Sequence, residues 1–127
     1  MVKKKLIFVV DDDTFITSLL QKRLENEGYR VRSFAYGEEC IASLHEGPSL
    51  IILDFYFVRA GHTPMNGMEV FKELRKRMPT LPVIVLSAQE KGEVVLELVR
   101  KGIADYVIKD NDLIDNLCIS IKEIFDK

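Results

Sequence analysis

The sequence predicts a doubly wound α/β domain, an open parallel β-sheet with helices on both faces. Three observations carry this. Short runs rich in β-formers recur five times, and three of them are unbroken by polar side chains, as strands buried on both faces require. A stretch with helical spacing follows each run. The length, 127 residues, fits one domain of ordinary size, expected over 1–127, and leaves no room for a second.

The first strand is Leu6-Ile7-Phe8-Val9-Val10, and Phe15, Leu19, Leu20 and Leu24 then recur at helical spacing until Gly28. Tyr29 to Phe34 reads as a short alternating strand, and Glu38 to Leu44 as a short helix closed near Gly47-Pro48. The third strand, Ser49 to Leu53, ends in Asp54. Asn66-Gly67-Met68-Glu69 has capping-box spacing and opens a helix with the stripe Val70, Phe71, Leu74 and Met78, stopped before Pro79. Pro82 to Leu86 is the fourth strand. Ser87-Ala88-Gln89-Glu90 repeats the capping pattern before a helix carrying Val94, Val95, Leu98 and Val99, with Gly102 as its stop. Ala104 to Ile108 is the fifth strand, and Asp112 begins a last amphipathic helix through Leu113, Leu117, Ile121, Ile124 and Phe125.

Composition narrows the function classes. An apolar fraction of 47% with 30% charged residues fits a folded soluble domain. A net charge of −2 lacks the basic footprint that direct nucleic-acid binding needs. The positive start Lys3-Lys4-Lys5 precedes an apolar run too short for a signal peptide, and no run approaches a membrane span. A cytoplasmic location is expected. Cys40 and Cys118 match no metal motif and read as buried, reduced thiols; His45 and His62 read as solvated surface residues.

In an open α/β sheet, ligands bind outside the carboxyl ends of the strands. Asp11, Asp12 and Asp13 follow the first strand, Asp54 the third, Ser87 the fourth and Lys109 the fifth. Converging carboxylates raise one another's pKa unless a cation intervenes. With only oxygen ligands on offer, a hard ion such as Mg²⁺ is favoured over zinc or copper. Lys109 supplies a point charge for phosphate oxygens and Ser87 a hydroxyl, a set suited to phosphoryl transfer with a carboxylate as acceptor. Asp13 reads as the N-cap of the first helix. Ser87 alone would read equally as an N-cap serving Glu90; its neighbours favour phosphate contact.

These residues carry a resemblance. Val9-Val10-Asp11-Asp12-Asp13, Ile51-Ile52-Leu53-Asp54, Val85-Leu86-Ser87-Ala88 and Asp105-Tyr106-Val107-Ile108-Lys109, in this order and spacing, resemble the receiver domain of bacterial two-component response regulators over essentially the whole chain. The resemblance implies a flavodoxin-like sheet of strand order 2-1-3-4-5 with five helices. It implies Asp54 as the phosphoacceptor, supplied from a phosphohistidine on a sensor histidine kinase or phosphotransfer protein. Asp12, Asp54 and the carbonyl of Tyr56 would ligate Mg²⁺, with Asp11 acting mainly through metal-bound water. Ser87, Lys109 and the Ala88 N–H would hold the phosphoryl oxygens. Tyr106 would be the switch aromatic, and the fourth helix, fifth strand and fifth helix would meet a downstream protein target. Such a chain is a monomer or weak dimer and not an enzyme beyond accepting and losing its own phosphoryl group.

Two features depart from the family pattern. Gly67 lies thirteen residues after Asp54 instead of eight, so the loop 55–66 is five residues longer. It is either a tolerated insertion or a lid in which Phe55, Phe57, Val58 and Arg59 shape partner choice and water access. The bulk of Tyr56 is expected to slow hydrolysis. The residue after Lys109 is Asp110 where the family has proline behind a cis bond. Either the peptide is trans and the lysine aims differently, or the site stores about 3 kcal/mol of strain.

Two other functions compete. A haloacid-dehalogenase-type phosphatase would use Asp11 as nucleophile, but Phe15 stands where that motif needs Thr or Val, and there is no room for a cap. A receiver-like interaction module that takes no phosphate is disfavoured by Asp11, Asp12, Asp54, Ser87 and Lys109 all being present.

Overall fold

The computed structural model describes residues 4–55, 67–87 and 92–126, without the side chains of residues 92–95. Its elements alternate as expected: β1 (Leu6–Val10), α1 (Thr14–Asn26), β2 (Arg30–Phe34), α2 (Gly37–Ala42), a 3₁₀ turn (Leu44–Glu46), β3 (Leu50–Asp54), α3 (Gly67–Arg77), β4 (Val83–Ser87), α4 (Gly92–Arg100), β5 (Asp105–Ile108) and α5 (Leu113–Phe125). The five strands pair in parallel in the order 2-1-3-4-5.

Every residue of β1, β3 and β4 is buried, and successive side chains feed opposite faces. Phe8, Val10, Ile51, Leu53, Val83 and Val85 pack on one face against Cys40, Val70, Phe71, Leu74 and Leu98 of α2, α3 and α4. Ile7, Val9, Leu50, Ile52, Ile84 and Leu86 pack on the other against Leu20 and Leu24 of α1 and Leu113, Leu117, Cys118 and Ile121 of α5. Both cysteines are buried and unbonded, and burial pushes the Cys40 thiol up to about 12, so it stays protonated.

Local signals hold where a single residue dictates geometry. Asp13 caps α1, its Oδ1 accepting from the N–H groups of Phe15 (3.0 Å) and Ile16 (3.3 Å). Gly28 and Gly102, the expected stops of α1 and α4, lie at φ +97° and +91°, a region that penalises a side chain. His45 is exposed, with Nδ1 3.1 Å from the Ala42 carbonyl.

Some expectations change. The second helix begins at Gly37 and gives way to the 3₁₀ turn after Ala42. At Gly37 a Cβ would run into Val70 Cγ2, so bare backbone is what lets α2 close on α3. The strand β2 buries only Phe34, because at the sheet edge most of it faces solvent. In α1, Phe15 and Leu19 are 70% and 40% exposed, so they lie off the core stripe. Val99 on α4 is likewise exposed, while Leu98 is buried. Asp112 occupies the N-cap position of α5 without a side-chain cap bond; its N–H donates to Asp110 Oδ1 at 2.9 Å. The capping expectations at Asn66 and at residues 88–90, and those for Tyr56, His62, Ala88 and the loop from 56 to 66, fall outside the described residues.

Candidate functional site

Parallel pairing assembles the site at the carboxyl edge of the sheet. Val10 pairs with Leu53, so the next residues, Asp11 and Asp54, are neighbours across β1 and β3. Asp54 pairs with Leu86, and Ser87 follows; Ser87 pairs with Ile108, and Lys109 follows. The Lys109 N–H donates to the Ser87 carbonyl at 2.8 Å, fixing the end of β5 against β4. Asp11, Asp54 and Ser87 are 3%, 2% and 3% exposed.

Lys109 ties the two buried carboxylates together. Its Nζ lies 2.9 Å from Asp54 Oδ2 and 3.1 Å from Asp11 Oδ2. The bond after Lys109 is trans, as no cis peptide occurs among the described residues, and the ammonium still reaches both carboxylates. Burial alone would pull Lys109 down; the hydrogen bond and charge of Asp54, then the charge of Asp11, outweigh it, and its pKa is raised. The Asp11 carboxyl is pushed up to about 6, chiefly by burial and then by the charge of Asp54, against the opposing Asp13 N–H and Lys109.

The three carboxylates form a hard-cation cradle. Asp11, Asp12 and Asp54 each offer an oxygen, all within 4.8 Å of one another. Asp11 Oδ1 accepts from the Asp13 N–H at 2.9 Å. Its Oδ2 is buried, and although Lys109 is close enough to pair with its charge, no aligned donor among the described residues serves it. A buried anionic oxygen without a donor, in an all-oxygen set, fits Mg²⁺. Tyr106 on β5 is half-buried against the α3 face of the core.

Sequence reasoning missed a cleft beside this edge. Between α1 and the start of α5, a cleft of about 430 Å³ is floored by Phe15, Ile16, Leu19, Leu113 and Ile114, and Lys109 lines it too. The available signal was surplus: α1 carries more apolar residues than the buried stripe Leu20 and Leu24 uses.

Residues 7–121 match the sequence profile of the response regulator receiver domain. The chain belongs to that family. Among curated relatives, it is 38% identical over 107 residues to the alkaline phosphatase synthesis transcriptional regulatory protein PhoP of Bacillus subtilis, covering 83% of this chain and 42% of the relative. It is 27% identical to the DNA-binding transcriptional regulator NtrC of Proteus hauseri, covering 92% of this chain and 24% of that one. The chain thus spans about a quarter of one relative's length and about two-fifths of the other's. Among solved structures, a CheY-like receiver domain protein from Methanospirillum hungatei JF-1 superposes with a TM-score of 0.85 at 27% identity, covering 98% of this chain and 95% of that one. The receiver domain of NtrX from Brucella abortus superposes at 0.83 and 26% identity, covering 95% and 98%. The strand order 2-1-3-4-5 is that of these receivers. Among the described residues, no helix is long and apolar enough to cross a membrane.

Proposed function

We propose that Asp54 accepts a phosphoryl group from a phosphohistidine on a sensor histidine kinase or phosphotransfer protein. The observation that carries this is Lys109 bridging Asp54 and Asp11 at 2.9 and 3.1 Å inside a cluster of three carboxylates. One Asp54 oxygen attacks phosphorus, the P–N bond to histidine breaks, and its electron pair leaves with the imidazole. Lys109, already at the acceptor, neutralises charge on the phosphoryl oxygens, and the Ser87 hydroxyl, one strand away, donates to them. Asp11, Asp12 and Asp54 would hold Mg²⁺, which when bound offsets the charge of carboxylates and phosphoryl group together. The chain turns over no external substrate and only takes on and loses its own phosphoryl group.

The donor rests on the cleft between α1 and α5, because Lys109 belongs to both the cleft and the acidic site, and Phe15 stands three residues after Asp12. Output passes through α4, β5 and α5, where Leu96, Val99 and Ile119 are each more than half exposed. A downstream protein, not nucleic acid, is the partner of this domain, which works in the cytoplasm as a monomer or weak dimer. The test is exposure to acetyl phosphate with Mg²⁺, then intact mass and peptide mapping. One phosphoryl group on Asp54, absent in Asp54→Asn, is expected. Modification of Asp11 instead would indicate the phosphatase. No gain from acetyl phosphate or a phosphohistidine donor would leave an interaction module that takes no phosphate.

A further inference from the structure

The opposite edge of the sheet carries a second concentration of charge, of the other sign. At the amino ends of β1, β2 and β3 opens a cleft of about 200 Å³ lined by Lys4, Lys5, Arg30, Glu46, Gly47 and Ser49. Strand pairing forces this juxtaposition. Leu6 pairs with Arg30, which sets the Arg30 side chain on the Leu6 face of the sheet, and the Arg30 N–H donates to the Lys5 carbonyl at 2.9 Å. On the other flank of β1, the Ser49 N–H donates to the Leu6 carbonyl at 2.7 Å, which brings a hydroxyl to the same edge.

Little offsets the positive charge. Among the described residues Glu46 is the one carboxylate lining the cleft, and its Oε2 lies 3.5 Å from Arg32. The Lys5 ammonium is turned to the opposite face of the sheet, 4.8 Å above the Phe125 ring, which leaves Lys4 and Arg30 as the cationic side chains of the cleft. Lys4 and Arg30 have no ion pair among the described residues. Cations that share one cleft repel one another until an anion joins them. The cleft is smaller than the roughly 300 Å³ at which pockets for drug-sized ligands begin, which limits the ligand to a small anion. A guanidinium fork sharing a cleft with an ammonium group and a hydroxyl suits tetrahedral phosphate oxygens.

We infer that this cleft binds a free, small phosphate-class anion, inorganic phosphate or a compact phosphate ester. The strand length puts it roughly 17 Å from Asp54, so it stands independently of phosphoryl acceptance there. The experiment is a titration of the full chain, ¹⁵N-labelled and free of divalent metal, with inorganic phosphate against sodium chloride of equal ionic strength. Saturable amide shifts at Lys5, Arg30 and Ser49 are expected, with affinity at least tenfold weaker in a Lys4→Gln, Arg30→Gln variant. Both substituted side chains are exposed, so the variant keeps its fold, checked by its unshifted core amides. Absent or unsaturable shifts, shifts reproduced by chloride, or equal affinity in the variant would overturn the inference. So would sedimentation with phosphatidylcholine vesicles containing phosphatidic acid without binding of free phosphate, because the source would then be a lipid headgroup.

Discussion

Asp11 is the residue at which site chemistry and folding stability oppose each other, and Asp11→Asn measures the conflict. Its side chain is fully shielded and its pKa is pushed from 3.8 to about 6. Because the folded value is raised, the native state holds the proton more tightly than the unfolded chain. Stability from this group is therefore complete below pH 3.8 and is lost as pH rises through about 6. At pH 7.5 the shift corresponds to a cost of about 3 kcal/mol, and at pH 5 to about half of that. Asparagine keeps an acceptor for the Asp13 N–H and removes the charge. Metal-free Asp11→Asn should thus be more stable than the parent by up to about 3 kcal/mol at pH 7.5, with the gap roughly halved at pH 5. Urea unfolding in EDTA at the two pH values reads this directly. Adding Mg²⁺ should raise the parent's midpoint by mass action and leave the variant's nearly unmoved. A variant less stable than the parent at pH 7.5, or a gap that does not change with pH, refutes the reasoning.

The remaining predictions concern groups that hold the site or serve it. Lys109→Met removes the cation shared by Asp54 and Asp11, and should lower metal-free stability by about 1–3 kcal/mol, with much of the loss restored by Mg²⁺ in thermal melts. Gly67→Ala would place a Cβ 2.6 Å from the Phe55 carbonyl oxygen and 2.9 Å from its Cα, so the backbone must shift; a loss of about 1–3 kcal/mol is expected in urea unfolding. Phe15→Ala removes the most exposed aromatic of the cleft beside the site. It should slow transfer from a phosphohistidine protein about tenfold, the effect of ~1.4 kcal/mol, and leave labelling by acetyl phosphate unchanged in parallel time courses.

What was legible in the sequence follows from the parallel sheet. When every strand points the same way, each residue after an apolar run lands on one edge. Reading Asp11, Asp54, Ser87 and Lys109 off the ends of four runs was therefore enough to gather them. Distances between them were not legible, since they depend on pairing: Lys109 reaches Asp54 and Asp11 because β5 lies beside β4, and β4 beside β3. The exposure of Phe15 was hidden for a different reason. Helical spacing marks apolar residues without saying which stripe faces the sheet, and Thr17, Leu20 and Leu24 hold the buried one. The closeness of α2 to α3 at Gly37 rests on an absent side chain, which leaves no periodic signal.

The charged strand ends have a second task. A strand with one solvated face fixes its register by alternation, because a slip of one residue turns its apolar side chains to water. The strands β1, β3 and β4 are buried throughout and lack that device. A one-residue slip of β3 against β1 would exchange one buried aliphatic for another along most of its length. Its ends would not survive the change: it would draw Asp54 in beside Val10, away from Asp11 and Lys109, or push Leu53 out to the polar edge. Two charged borders, acidic with Lys109 at one edge and basic around Lys5 and Arg30 at the other, leave one register in which no charge enters the core. The residues proposed to bind phosphoryl groups and anions are then also those that tell apolar strands where to stop.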